Sequence, residues 1–292
     1  MSEIYRSEAG GRLLRERYLE ALEYWPVGNE QLRVPTPEGA TFVIACGPAT
    51  APPLVLLHGS GSNSAQWISR IPDLATHFRV YAIDMIGEAG FSAPSRPPLG
   101  SDNYAVWLDA VLDFLGLERV PIMAMSLGGW LALDYATRRP SRVERLALSC
   151  PGGIGRQMKG FLLTAILLNS LGRWGRRKSA TVVLGPGLST MERADAEAVF
   201  EEVLLVSKNY RYRMDELPIF DDNALRRLTM PVHVLAGKLD VMFDSVETKR
   251  RLEAAAPHAT VRLLPDIGHF IPAQADAELE FLTNTRTGEQ HA

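Results

Sequence analysis

Three residue types that together turn a weak nucleophile into a reactive one occur here in the order Ser126, Asp240, His269. A serine hydroxyl near neutral pH needs a base to take its proton, and that base needs a carboxylate to fix its tautomer. Ser126 stands in Ala124-Met125-Ser126-Leu127-Gly128-Gly129, between an apolar run at 120–125 and a helical pattern at 127–137. A tight turn between strand and helix lifts a serine Oγ clear of the backbone, and small neighbours let the helix pass close to the strand. The usual spelling is G-x-S-x-G, and Ala124 takes the place of the first glycine. The bland alternative for such a serine is a helix N-cap.

The chain has six histidines, and five of them fall where a structural role is expected. His269 differs. It sits in Asp266-Ile267-Gly268-His269-Phe270, directly after the last expected strand, where open α/β sheets place their sites. Asp240 follows the strand at 232–236 and is the expected carboxylate. Asp244 is expected to cap the helix after it, and Asp266 to shape the histidine's own turn. An acyl-transfer site also needs two donors for the oxyanion. The expected pair is the backbone N–H of Leu127 and that of Ser60, in His58-Gly59-Ser60-Gly61. His58 itself is expected to brace that loop, and Gly59, Phe161 and Phe270 are expected to line the substrate pocket.

The same glycine loop supports a rival. Gly59-Ser60-Gly61 after a strand, with Asp84 ending the next one, partly matches a dinucleotide fingerprint. Ser64 stands where the third glycine belongs, and that reading leaves Ser126, Asp240 and His269 without a task. No P-loop, H-E-x-x-H or Cys/His ligand spacing is present, so no metal and no cofactor are expected.

These residues need a scaffold that brings them to one edge. Short apolar runs at 41–46, 54–57, 80–83, 120–125, 143–149, 232–236 and 260–264 read as strands. Helical patterns at 65–76, 104–115, 127–137, 245–256 and 273–283 alternate with them, after an amphipathic helix over 11–25. Apolar strands alternating with helices predict an α/β protein with a mostly parallel sheet covered on both faces. The rhythm stops between Cys150 and Leu228, where a helical segment near 190–208 stands apart from any strand. The expected organisation is a core of 1–152 and 218–292, with a helical cap of 153–217 over the site. In that cap Phe161, Leu162, Leu163, Ile166, Leu167 and Leu171 form an apolar face suited to roofing a pocket. Arg173, Arg176, Arg177 and Lys178 follow, with no acid from Arg145 to Met191. They raise the idea of an anionic or carrier-linked acyl substrate, against a plain solvated loop.

Composition narrows the classes further. With 31 Lys and Arg against 34 acids over 292 residues, the chain lacks the basic surplus that nucleic-acid binding needs. Two cysteines make no disulfide framework, and Cys150 is expected to be a small buried residue beside the site. The polar start and the shortness of the longest apolar run predict a cytoplasmic protein, without membrane contact, acting as monomer or homodimer.

Taken in order, Leu57-His58-Gly59-Ser60-Gly61, the stretch Asp84-Met-Ile-Gly87-Glu-Ala-Gly90-Phe-Ser92, Met125-Ser126-Leu127-Gly128-Gly129, Gly237-Lys-Leu-Asp240 and Asp266-Ile-Gly-His269 resemble the α/β-hydrolase superfamily over about 33–282. The resemblance implies an eight-stranded sheet, a helical cap after the sixth strand, and no cofactor. The chain departs from the family at Ala124 and at 84–92, where the usual D-x-x-G-x-G-x-S is one residue wider. Serine at 126 argues against the dehalogenase and epoxide-hydrolase branches, which carry an aspartate there. The expected activity is hydrolysis of a carboxylic ester or thioester of a small, largely apolar substrate through an acyl-enzyme. The alternatives are a cyclase, acyltransferase or C–C bond hydrolase, or a slow ligand-binding member of the fold.

Overall fold

In a computed structural model, residues 4–158, 160, 167–168, 171–272 and 275–284 are described. Eight strands, β1 (Asn29–Val34), β2 (Thr41–Cys46), β3 (Pro53–Leu57), β4 (Arg79–Ile83), β5 (Val120–Met125), β6 (Val143–Ser149), β7 (Val232–Gly237) and β8 (Thr260–Leu264), form one sheet. Their order is β1-β2-β4-β3-β5-β6-β7-β8. β2 runs antiparallel to both β1 and β4, and every other pair is parallel. The helices with described bounds are α1 (Glu8–Glu23), α2 (Ile71–His77), α3 (Asn103–Phe114), α4 (Leu127–Arg138), α5 (Gly172–Leu184), α6 (Arg193–Asn209), α7 (Asp222–Leu225), α8 (Ser245–Ala255) and α9 (Ala275–Thr283).

The period-two alternation of the strands divides their apolar side chains between two layers. Val43, Val55, Leu57, Ile122, Leu146 and Val234 face one cluster with Trp107 and Leu108 of α3, Leu131 of α4 and Leu252 of α8. Ile44, Leu54, Leu56, Val80 and Met123 face the other, with Tyr18 and Leu22 of α1, Leu74 of α2 and Leu282 of α9. Both faces are therefore buried, as continuous apolar strands require.

Several expectations change. β1 is an edge strand whose sequence Asn-Glu-Gln-Leu-Arg-Val is mostly exposed, so it carries no apolar run. The helix expected over 65–76 is two pieces, a 3₁₀ turn at Ser64–Trp67 and then α2. Pro72, in the first turn of α2, lacks an N–H and disfavours helical backbone before it, so one continuous helix is blocked. α1 begins at Glu8 rather than at 11, because Ser7 caps it by accepting the Gly10 N–H at 3.0 Å. α5 occupies the stretch expected to be only a basic patch. Phe161, Leu162, Leu163 and Ile166 lie outside the described residues, as do the first two residues of the helix expected at 273–283. No helix among the described residues is long and apolar enough to cross a membrane.

Candidate active site

The carboxyl ends of four parallel strands converge on one locus. Ser126 follows β5, Ser60 follows β3, Asp240 follows β7 and His269 follows β8. At Ser126 the backbone reaches φ +52°, outside the region ordinary L-residues occupy, and α4 begins at the next residue. Gly128 makes that turn possible: a Cβ there would stand 2.4 Å from the Leu57 carbonyl oxygen of β3. No other residue lets α4 pass so near the strand.

Hydrogen bonds link the three side chains in series. His269 Nε2 lies 3.0 Å from Ser126 Oγ, and His269 Nδ1 lies 2.8 Å from Asp240 Oδ2. A carboxylate only accepts, so Nδ1 carries the proton and Nε2 is left to accept from the hydroxyl. Asp240 Oδ1 accepts the N–H groups of Met242 (2.7 Å) and Phe243 (3.2 Å), which fix the carboxylate plane. The Asp240 side chain is 1% exposed and that of His269 12%, so the carboxylate is shielded while the ring keeps access. The Phe243 ring stands edge-on to the imidazole at 5.4 Å.

The two rival carboxylates take other positions. Asp244 caps α8, accepting the Glu247 N–H at 2.9 Å, and Asp266 is exposed. The Glu247 amide, with the Arg156 guanidinium, holds the Asp244 carboxyl below the usual carboxylate range. Cys150 is buried at the end of β6, and its thiol donates to the His269 carbonyl oxygen at 2.7 Å. Burial, then Asp240 and Glu278, push that thiol well above its ordinary pKa, so it is a neutral brace for the histidine loop. Ligand atoms of Cys150, Asp240 and His269 lie within 4.8 Å of one another, the one such three-group cluster among the described residues. Each is already engaged in the hydrogen bonds just described, which suits a proton relay.

The loop after β3 is held from below. His58 is fully buried; its Nδ1 donates to Gly59 O (2.8 Å) and its Nε2 accepts the Met85 N–H (3.0 Å). Burial lowers its pKa, consistent with a neutral bracing ring. Gly59 donates to Gln66 Oε1 at 3.0 Å, and a Cβ on it would stand 3.7 Å from that of Ser126. The amides of Ser60 and Leu127 donate to no acceptor among the described residues. Phe270, half-buried, donates its N–H to Leu184 O at the end of α5 (3.0 Å), and Phe161 lies outside the described residues.

Two residues absent from the sequence reading also belong here. Gln66 fixes Gly59, and Glu88 accepts the Gly61 N–H at 2.5 Å. Glu88 was signalled only by the extra residue in the 84–92 stretch. The basic patch changes meaning. Arg173 pairs with Glu201 (2.8 Å) and Arg177 with Glu197 (2.6 Å), so acids of α6 answer charges that have none nearby in sequence.

Residues 52–182 match a family described as the alpha/beta hydrolase fold. The chain is 30% identical over 263 residues to the carboxylesterase YbfK of Bacillus subtilis (strain 168), covering 88% of this chain and 87% of that protein. It is 29% identical over 283 residues to a protein of the same organism named uncharacterized carboxylesterase nap, covering 94% and 93%. The crystal structure of naproxen esterase (carboxylesterase NP) from Bacillus subtilis superposes with a TM-score of 0.77 at 28% identity, covering 91% of this chain and 94% of that one.

Proposed function

The chain belongs to the α/β-hydrolase family, and from that premise we propose that it is a serine carboxylesterase whose nucleophile, base and orienting acid are Ser126, His269 and Asp240. The observation that carries the reading is the unbroken series from Asp240 Oδ2 through His269 to Ser126 Oγ, at 2.8 and 3.0 Å. The carboxylesterase relatives support ester hydrolysis as the reaction. No feature among the described residues favours cyclisation, acyl transfer to another acceptor or C–C cleavage.

In this reading Ser126 Oγ attacks the ester carbonyl carbon while its proton passes to His269 Nε2. The carbonyl oxygen takes the negative charge and accepts from the Leu127 and Ser60 N–H groups. His269 then gives the proton to the departing alkoxide, leaving an acyl-enzyme and a free alcohol. Water loses a proton to Nε2 as it attacks, and collapse returns Oγ–H and releases the acid. The same steps with a thiolate leaving group would cleave a thioester. The segment 153–217, with α5 and α6, acts as a cap; the bond from Phe270 to Leu184 supports this by tying the histidine loop to the end of α5. The pairing of Arg173 and Arg177 with α6 acids favours a small, largely apolar substrate over an anionic or carrier-linked one.

Stopped-flow mixing with p-nitrophenyl butyrate tests the reading. A burst of nitrophenolate equal to the enzyme concentration, absent in Ser126→Ala, is expected. Hydrolysis that survives Ser126→Ala overturns it.

A further inference from the structure

Ser60 has a glycine on each side, and glycine backbone rotates freely, so the Ser60 amide keeps its aim only if its neighbours are held. Three side chains hold them. Gln66 Oε1 accepts the Gly59 N–H at 3.0 Å, and His58 Nδ1 donates to Gly59 O at 2.8 Å. That carbonyl shares one rigid peptide plane with the Ser60 N–H. On the far side Glu88 Oε2 accepts the Gly61 N–H at 2.5 Å and, at the limit, the Ser60 hydroxyl at 3.5 Å. Between these ties the Ser60 N–H has no acceptor among the described residues.

Glu88 is the unexpected member of the set. It falls in the widened stretch between Asp84 and Ser92, yet is only 3% exposed. A buried carboxylate is costly unless it is paired and hydrogen-bonded. Here Oε2 also meets the Tyr210 hydroxyl at 2.8 Å. Arg96 donates to the Tyr210 oxygen at 2.6 Å, leaving the tyrosine proton free to point at Oε2 or at Gly87 O. Burial pushes the Glu88 carboxyl up, against the Gly61 amide, Tyr210 and the charges of Arg96 and Arg213. Tyr212 closes the outer side of the loop: at Gly61, φ +69°, a Cβ would stand 2.5 Å from its ring. Tyr210 and Tyr212 lie just beyond α6, so the acid that grips the loop is itself gripped by the end of the 153–217 segment.

We propose that Glu88 is a positioning residue for ester hydrolysis: by holding Gly61 it aims the Ser60 amide at the developing oxyanion. The inference rests on the esterase reading. A preorganised donor acts where charge develops in the transition state and adds little to ground-state binding. Loosening it lowers kcat and leaves KM nearly alone. A smaller folded fraction would lower kcat as well, so the deciding readout is affinity for an oxyanion, which the folded fraction does not change.

The probe is 1,1,1-trifluoropentan-2-one, matched in acyl chain to p-nitrophenyl butyrate. Ser126 Oγ adds to its carbonyl carbon, the hydroxyl proton passes to His269, and the carbonyl oxygen becomes the oxyanion. Glu88→Ala and Glu88→Asp both withdraw the acceptor from Gly61, the second while keeping a carboxylate; Glu88→Gln keeps the reach and removes the charge. Misplacing a donor costs less than deleting it, so kcat should fall about 10–10²-fold in the alanine and aspartate variants, with KM moving less than about threefold. Ki for the ketone should rise by the factor that kcat loses. Glu88→Gln should recover both to within about fivefold of the wild type, since a charged acceptor holds an N–H only moderately better than a neutral one. Should Glu88→Ala not fold, Glu88→Asp carries the test. Wild-type kcat in Glu88→Asp, an unchanged Ki where kcat has fallen, or a glutamine variant as impaired as the aspartate one overturns the proposal. A wild type that hydrolyses no ester counts against the esterase reading; with wild-type activity in place, the variant ratios decide Glu88.

Discussion

Asp240 and His269 meet through a single 2.8 Å bond between Oδ2 and Nδ1, and the other carboxylate oxygen is turned back onto the amides of Met242 and Phe243. The carboxylate is thus fixed before the histidine uses it. Asp240→Asn keeps the shape but can present an N–H to Nδ1, which stabilises the wrong tautomer. By analogy with other serine triads, kcat should fall by about 10³–10⁴-fold with much less change in KM. Steady-state kinetics on p-nitrophenyl butyrate measures this; a loss under tenfold would remove Asp240 from the role.

Backbone strain at the nucleophile gives a second prediction. Ser126 sits at φ +52°, which costs a non-glycine residue about 1–3 kcal/mol. Ser126→Gly relieves it, offset by about 0.5–1 kcal/mol of extra chain entropy. The variant should be inactive yet melt about 1–3 °C above the wild type. Ser126→Ala, equally inactive, should gain nothing. Calorimetric melting of both variants separates relief of strain from loss of the hydroxyl.

Glu278 joins α9 to the sheet, accepting from Arg70 at 2.6 Å and from Ser149 at 2.7 Å. Arg70 Nε and Nη2 have no partner, so the pair is that guanidinium's only satisfied contact among the described residues. Glu278→Ala leaves a buried charge alone and should cost about 3–5 kcal/mol. The double variant Arg70→Leu, Glu278→Leu should recover much of it. Urea denaturation of the three proteins tests the ordering.

The cap at Asp244 makes stability depend on pH in a defined direction. Its carboxyl is held below the usual range by the Glu247 amide and Arg156, so its contribution is present above the unfolded value and lost as pH falls through the folded one. Asp244→Ala should cost about 1 kcal/mol at pH 7. The gap to the wild type should narrow below about pH 4, near the unfolded carboxyl value, and close at lower pH. Denaturation at pH 7, 4 and 2.5 checks the trend.

The residues that meet at the candidate site were more legible in the sequence than the elements at its margins. Ser126 directly follows β5, Asp240 and His269 lie in the loops after β7 and β8, and β2, β5, β6 and β8 have the expected bounds. Local pattern carries that information because both faces of the sheet are buried. β1 escaped notice because an exposed edge strand needs no apolar run, and α5 because Gly172, Gly175 and a basic cluster mask its helical face. The pairing of Arg177 with Glu197 and the burial of Glu88 arise from contacts between elements distant in the chain. A loop glutamate and a buried one have the same letter.

Labelling with a fluorophosphonate, followed by mass spectrometry of the modified peptide, tests the central claim most directly. An activated serine attacks phosphorus and keeps the phosphonyl group, whereas an ordinary hydroxyl does not react. The account predicts one adduct per chain, on Ser126, lost in His269→Ala. An adduct on another residue, or unmodified Ser126 in folded protein that still hydrolyses esters, would contradict it.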